Sequence, residues 1–221
     1  MKYIEDGTLL IDKPSHMTSF GVVARVRRQL SQHAGKKVKV GHTGTLDPFA
    51  TGLMIIVVGK ECKNAGMYSK LDKVYEATIR LGQTSTTGDP EGELTDVSNR
   101  VPTHDEVVTA LAQFSGEITQ TPPIYSAIKI DGQRAYKLAR EGKEVTIPER
   151  QVTIYSLDLI NYAYPLVRIR THVSSGTYIR TLAEDIGKVL HTGAYCSELR
   201  RTRISEWDVA SAEPITDNPE L

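Results

Sequence analysis

The stretch Gly41-His42-Thr43-Gly44-Thr45-Leu46-Asp47-Pro48-Phe49-Ala50-Thr51-Gly52 holds one carboxylate, that of Asp47, in a loop whose composition restricts its movement. Its three glycines permit backbone angles closed to other residues, Pro48 fixes its own φ, and a residue before proline is displaced from helical geometry. A bare Asp-Pro pair would indicate only the start of a turn. Here the apolar run 53–58 follows, which is typical of a buried strand. The sequence therefore predicts a fixed acid at the edge of a core.

The composition is that of an ordinary globular chain. Its 221 residues, 39% hydrophobic and 24% charged, suffice for one large domain or two small ones. Cys62 and Cys196 do not make a disulfide framework, and no Cys/His spacing resembles a zinc site. No segment resembles a signal peptide or a membrane helix. We therefore expect a cytoplasmic protein.

The charges are unevenly distributed along the chain. The totals, 27 basic and 27 acidic side chains, give a net charge of zero, which by itself argues against a nucleic-acid binder. However, residues 25–39 contain six bases and no acid, and residues 82–117 contain seven acids and one arginine. This distribution predicts a basic face for a polyanion and an acidic region that orients it by repulsion. An ordinary solvated surface is an equally open interpretation of each run.

Hydrophobic periodicity and turn residues predict a mixture of strands and helices, and so an α+β or mixed domain. Thr18 or Ser19 caps the first helix, and Thr103 with Glu106 forms a capping box for the second. The predicted elements are a strand at 8–11, a helix at 20–32, strands at 53–58 and 74–81, an exposed connection at 83–100, a helix ending before Gly116, a strand at 124–130, a turn at 131–132, a helix at 134–140, a hairpin of 152–160 with 166–173, a helix opened by 174–176, a strand at 199–204 and a polar tail at 214–221.

The twelve-residue stretch resembles the catalytic loop of the bacterial B-type tRNA pseudouridine synthase family (TruB), whose pattern is G-H-T-G-x-L-D-P-x-A-T-G. The resemblance covers nearly the whole chain in order, and it includes Leu10-Ile11-Asp12-Lys13-Pro14, Lys73-Val74-Tyr75-Glu76-Ala77, Thr121-Pro122-Pro123-Ile124-Tyr125-Ser126-Ala127-Ile128-Lys129 and Ser175-Gly176-Thr177-Tyr178-Ile179-Arg180-Thr181-Leu182-Ala183. It implies the pseudouridine synthase fold, a curved, mixed and mainly antiparallel sheet with flanking helices and a central active-site cleft. Family members usually continue into a small C-terminal RNA-binding domain. We expect residues 1–213 to form the catalytic domain, 214–221 a tail, and the PUA-like C-terminal domain to be absent.

The resemblance also implies a reaction, the isomerisation of uridine to pseudouridine at position 55 in the T loop of tRNA. The nucleotide must be flipped out of the folded RNA, and no metal or redox cofactor is required. Asp47 is the implied catalytic carboxylate, and whether it attacks the sugar, adds to the base or abstracts a proton stays open. Glycoside hydrolases normally use two carboxylates, so a single acid fits isomerisation better than hydrolysis.

Further site residues come from the same resemblance. Tyr75 is expected to stack on the target base, although an aromatic residue in a half-buried strand more often packs in the core. Arg180 is expected to pair with Asp47 and keep it ionised, with a phosphate contact or a surface ion pair as alternatives. His42 is expected to contact RNA near the displaced nucleotide, while Tyr178 and Leu199 either shape the pocket or pack. The candidates for RNA-backbone contacts are Lys13, Arg25, Arg28, Lys36, Lys37 and Lys39. For Lys13 the alternative is that it supports the active-site loop.

Three other functions are compatible with the same residues. A guide-RNA-dependent pseudouridine synthase of a protein-RNA particle carries a similar loop. An RNA-folding factor would act on tRNA with modification as a secondary activity, and a carboxylate hydrolase would release free uracil. For the favoured interpretation we expect the tRNA T stem-loop as partner, a monomeric protein, and neither membrane nor metal binding.

Overall fold

The computed structural model describes residues 3–126, 128–130, 133–135 and 146–215, and the chain divides into two compact units. The first unit comprises the described residues up to Tyr75 and from Arg200 onward, and the second comprises Glu76–Leu199. The described helices are α1 (Ser19–Ala34), α2 (Ala65–Ser69), α3 (His104–Ala112) and α4 (Ile179–Val189). The strands are β1 (Gly7–Lys13), β2 (Val40–His42), β3 (Thr51–Val58), β4 (Lys73–Leu81), β5 (Gln83–Ser85), β6 (Leu94–Asp96), β7 (Gly116–Gln120), β8 (Lys129–Ile130), β9 (Gln133–Arg134), β10 (Arg150–Ala163), β11 (Leu166–Val173), β12 (Ala194–Ile204), β13 (Trp207–Asp208) and β14 (Glu213–Pro214).

In the first unit the strands follow the order β14-β1-β3-β12, with β2 paired to β3 and β13 paired to β12. Strands β1 and β3 are antiparallel over their full lengths, whereas β3 and β12 run parallel at Arg201 and Gly52. Every residue of the predicted strand 53–58 is buried, as expected for a continuous apolar run at the centre of a sheet. This strand anchors the C-terminal end of the loop that carries Asp47.

Helix α1 confirms the predicted helix and its cap. Thr18 is the N-cap and its hydroxyl accepts a hydrogen bond from the Gly21 amide at 2.9 Å, which satisfies one of the free N–H groups of the first turn. The apolar stripe that the sequence shows at helical spacing is buried: Val22, Val23, Val26 and Leu30. Of the bases of this helix Arg28 is exposed, whereas Arg25 and Arg27 are half-buried and Arg27 donates to the Val40 carbonyl at 3.2 Å.

In the second unit the strands follow the order β12-β4-β11-β10-β7. The predicted hairpin is present as β10 and β11, paired antiparallel from Ile154 and Val173 to Ala163 and Leu166. The capping box of α3 is also present, because the Thr103 hydroxyl accepts from the Glu106 amide and the Glu106 carboxylate accepts from the Thr103 amide. Each prediction rested on local chemistry, and each is confirmed.

Other predictions of secondary structure need correction. The predicted exposed connection 83–100 contains the antiparallel pair β5 and β6, whose strands of three residues are too short to show periodicity, and its Asp89 is only 4% exposed. The helix predicted to open at 174–176 begins at Ile179, because Gly176, with φ +88°, and its neighbours form a turn. Arg134, predicted to be helical, lies in β9. Of the predicted strand 124–130, only Lys129–Ile130 is a strand among the described residues, and Pro214 of the predicted tail lies in β14. Residues 131–132, 136–140 and 216–221 of the predicted turn, helix and tail lie outside the described residues.

The fold class is α+β with a mostly antiparallel sheet, as predicted. Of the helices in the described ranges, none combines the length and the apolar character that crossing a bilayer requires.

Gly52 provides a test of the parallel contact between β3 and β12. Its φ is +107°, and a Cβ added there would lie 2.2 Å from the Arg201 carbonyl oxygen. We expect Gly52→Ala to lower the free energy of unfolding by about 3 kcal/mol or more, since backbone strain and a backbone clash add. Urea denaturation measures the change. In the control Gly66→Ala, where a Cβ meets nothing within 4 Å, stability should hold or rise slightly. Equal effects of the two changes would contradict this account.

Candidate active site

The loop between β2 and β3 is held through its backbone on both sides of Asp47. The Ser19 hydroxyl accepts from the Leu46 amide at 2.8 Å and donates to the Leu46 carbonyl at 2.9 Å. The carbonyl of Pro48 accepts from the His16 amide at 2.8 Å and from the Lys13 ammonium at 3.1 Å. Because both neighbours of Asp47 are fixed and its own carbonyl accepts from the Ala50 amide, the backbone of this half-buried residue has a defined position.

The position of Lys13 corrects the prediction that this residue contacts the RNA backbone. Its side chain is fully buried, and its ammonium donates to the carbonyls of Pro14 at 2.8 Å, Met17 at 2.7 Å and Pro48 at 3.1 Å. An ammonium has three N–H donors, so these carbonyls occupy all of them. Lys13 therefore supports the loop, which was the alternative interpretation, and does not contact a phosphate.

Arg201 is a second buried cation that braces the same loop, and the sequence did not identify it. Its side chain is 1% exposed; Nε donates to the Leu53 carbonyl at 2.7 Å and Nη2 donates to the Gly44 carbonyl at 3.2 Å. These two carbonyls lie on opposite sides of Asp47 in the chain. A signal was available, because alternation along β12 puts Arg201 on the same side as the buried Leu199.

Tyr75 and Lys73 lie at the start of β4, and both are buried. The Lys73 ammonium donates to the carbonyls of Ser69, at 2.9 Å, and Leu71. Burial, followed by the charge of nearby Arg201, lowers the pKa of Lys73 to about 8. The burial of Tyr75 is compatible with packing and with base stacking, so its stacking role stays a prediction.

The remaining basic candidates of the first unit lie at its surface or close to it. Arg25 is half-buried on α1, and His42 is half-buried at the end of β2. The exposed members of the run are Arg28, Lys36, Lys37 and Lys39. Their exposure is compatible with phosphate contacts, which stay a prediction.

In the second unit Arg180 lies in the first turn of α4, as predicted, but it is 3% exposed and makes no surface ion pair. Nη1 donates to the Asp89 carboxylate at 3.1 Å and to the Thr87 carbonyl at 2.7 Å, while Nη2 donates to the Tyr125 carbonyl at 2.8 Å. Asp89 is thus a buried carboxylate partner that the sequence did not identify. The pairing of Arg180 with Asp47 involves residues of different units and stays a prediction.

Tyr178 is held by a side chain that the sequence also did not identify. The side-chain oxygen of Gln120, Oε1, accepts from the Tyr178 backbone N–H at 3.0 Å. Its side-chain nitrogen, Nε2, donates to the Tyr178 carbonyl at 3.2 Å. Gln120 is 1% exposed, so these bonds fix the residue that precedes α4. Leu199 is buried in β12. The pocket roles of Tyr178 and Leu199 stay predictions.

A family model described as TruB family pseudouridylate synthase (N terminal domain) matches residues 27–179. The chain belongs to this family. A second model, described as tRNA pseudouridylate synthase B C-terminal domain, matches residues 180–216 of this TruB family member.

Named relatives extend the match over most of the chain. The tRNA pseudouridine synthase B of Aromatoleum aromaticum is 46% identical over 213 residues, which are 96% of this chain and 68% of that protein. The enzyme of the same name from Opitutus terrae is 44% identical over 94% of this chain and 84% of its own. A solved Cbf5-Nop10-Gar1 complex contains a chain with a TM-score of 0.72 and 28% identity. The match covers 96% of the TruB family chain described here and 53% of the solved chain, about half its length.

Lys73 predicts a pH dependence of stability. Its pKa is about 8 in the folded chain and near 10.5 as an ordinary lysine, so the unfolded chain binds more protons between these values. The free energy of unfolding should therefore rise with pH across this window, by on the order of 2 kcal/mol relative to Lys73→Met. Urea denaturation at pH 7 to 10.5 measures the difference. In the control Lys70→Met, which replaces an exposed lysine, the change in the free energy of unfolding should not vary with pH.

The Arg180–Asp89 pair predicts a large loss of stability. Replacing Asp89 by alanine removes an anion that faces a buried guanidinium, so the free energy of unfolding should fall by about 3 kcal/mol or more. Glu93→Ala, an exposed acid of the same segment, should change it by no more than about 0.5 kcal/mol. Thermal and urea denaturation both report the change, and an Asp89→Ala protein as stable as the control would show that the pair contributes little.

Proposed function

We propose that this chain isomerises a uridine to pseudouridine at position 55 in the T loop of tRNA, with Asp47 as the catalytic carboxylate. The observation that carries the proposal is the immobilised carboxylate: both backbone neighbours of Asp47 are hydrogen-bonded to buried groups of β1 and α1. Such an acid can act at a fixed place on a bound nucleotide without first being ordered. Membership of the TruB family gives the reaction class.

The chemistry needs one acid and a water-poor site. The bond from N1 of uracil to C1′ of the ribose breaks, which leaves positive charge on the sugar that an adjacent carboxylate stabilises or traps covalently. The detached uracil turns, C5 bonds to C1′, the C5 proton leaves and N1 takes up a proton. No atom is lost from the RNA apart from this exchange of protons. The site must keep water from the sugar until the second bond has formed.

Asp47 needs help from groups that hold the base and the carboxylate. In this proposal Tyr75 stacks on the uracil, Arg180 pairs with Asp47, and Tyr178 and Leu199 line the pocket. His42, the last residue of β2, contacts RNA near the displaced nucleotide. The exposed bases Arg28, Lys36, Lys37 and Lys39, together with half-buried Arg25, contact phosphates and offset the cost of flipping, which is a few kcal/mol.

Sequence identity favours tRNA as the substrate over an RNA that is selected by a guide RNA. Two relatives named tRNA pseudouridine synthase B are 46% and 44% identical to this chain, whereas the chain of the Cbf5-Nop10-Gar1 complex is 28% identical. We therefore propose the T stem-loop as the partner of a monomeric, cytoplasmic enzyme, with residues 1–213 as its catalytic part.

Tritium release tests the proposal. A tRNA transcript labelled with tritium at C5 of uridine should lose label to water with the parent chain, and Asp47→Asn should reduce the rate by on the order of 10³-fold or more while RNA binding persists. Asp105→Asn, which changes a fully exposed carboxylate on α3, is the matched control and should leave the rate unchanged.

Each alternative predicts a different result. Release that requires an added guide RNA would identify a guided synthase, and free uracil among the products would identify a hydrolase. No release by the parent chain, together with accelerated tRNA refolding, would identify a folding factor. Any of these outcomes would overturn the proposed function.

A further inference from the structure

Arg150, the first residue of β10, stacks on Tyr178. Its guanidinium carbon lies 4.6 Å from the centroid of the Tyr178 ring, a distance at which a cation is attracted to the face of an aromatic ring. Neither the sequence motifs nor the proposed chemistry uses Arg150. The contact lies wholly within the second unit.

The hydrogen-bond donors of Arg150 are only partly accounted for. Nε and Nη2 are buried and have no hydrogen-bond partner among the residues that the structure describes. Stacking uses the face of the guanidinium and leaves the N–H groups of its edge unsatisfied. Burying charged donors without an acceptor costs free energy, so such an edge indicates a ligand that completes it.

The geometry of the edge selects the kind of ligand. Nε and Nη2 lie on one side of the guanidinium and point their N–H groups in parallel, which matches two oxygens of a phosphate. Gly176 packs against the other nitrogen, Nη1, from which an added Cβ would lie only 3.3 Å away. The φ of Gly176, +88°, also disfavours any side chain there.

The stack is fixed before any ligand arrives. Backbone pairing aligns Arg150 with Gln120, and the amide of Gln120 holds the backbone of Tyr178 on both its N–H and its carbonyl. One buried residue thus positions both members of the stack. A preorganised guanidinium loses little side-chain freedom on binding, which favours affinity.

We propose that Arg150 is a phosphate-binding residue for single-stranded RNA, with the Tyr178 ring as its platform. That the phosphate belongs to RNA rests on the proposed function; that the site takes a phosphate rests on the stack and its unsatisfied edge. Arg150 adds a defined backbone contact in the second unit to the exposed bases of the first.

Salt dependence of RNA binding tests the proposal. Each phosphate contact with a single strand contributes about 0.7 to the slope of log K against log salt concentration. Arg150→Gln should therefore reduce the slope of T-arm RNA binding by about 0.7, raise KM in tritium release and leave kcat unchanged. Arg150→Lys keeps the charge but lacks the fork, so it should keep the slope with weaker binding.

Arg168→Gln is the matched control, since Arg168 is an exposed arginine of the adjacent strand β11. For this variant the salt-dependence slope of RNA binding should equal that of the parent chain. An Arg150→Gln protein with an unchanged slope and only a lower thermal stability would show that Arg150 merely braces Tyr178, and would overturn the proposal. Arg150-dependent binding of polyglutamate, with RNA binding unaffected, would also overturn it. If the slope falls by 0.7 as expected but no tritium is released by the parent, the phosphate site stands and the proposed function fails.

Discussion

The hydrogen bonds from Lys13, Ser19 and Arg201 to the carbonyls of the Asp47 loop are the constraint on which the first unit depends. A loop at the edge of a core has backbone groups that water cannot reach, and each of them needs an internal partner. Two buried cations and one hydroxyl supply those partners. Their charges are tolerated because carbonyl dipoles replace the lost water. The same bonds that satisfy the loop also fix the backbone on both sides of Asp47.

The second unit treats its buried cation differently. Arg180 faces a carboxylate as well as carbonyls, so its charge is neutralised by Asp89, whereas Lys13 and Arg201 donate to carbonyls. A carboxylate compensates the charge of a buried cation directly, whereas carbonyl groups compensate it through their dipoles.

Local sequence predicted what local chemistry decides: the cap and stripe of α1, the capping box of α3, the hairpin of β10 and β11, and the position of Asp47 in a glycine-rich loop. Arg201, Asp89 and Gln120 were missed because their partners are remote in sequence. Arg201 and Leu53 are 148 positions apart, and Arg180 and Asp89 are 91 apart. No periodicity encodes such contacts. The sequence also did not predict the short strands β5 and β6, because three residues are too few to show alternation.

The parallel contact of β3 with β12 has a consequence for biosynthesis. At roughly 5 to 20 residues per second, a ribosome that has placed Leu53 needs roughly 7 to 30 s to reach Arg201, its partner 148 positions later. Throughout that interval the nascent loop lacks the guanidinium that ties its two ends. The Asp47 loop can therefore reach its braced state only after Arg201 of β12 has been synthesised.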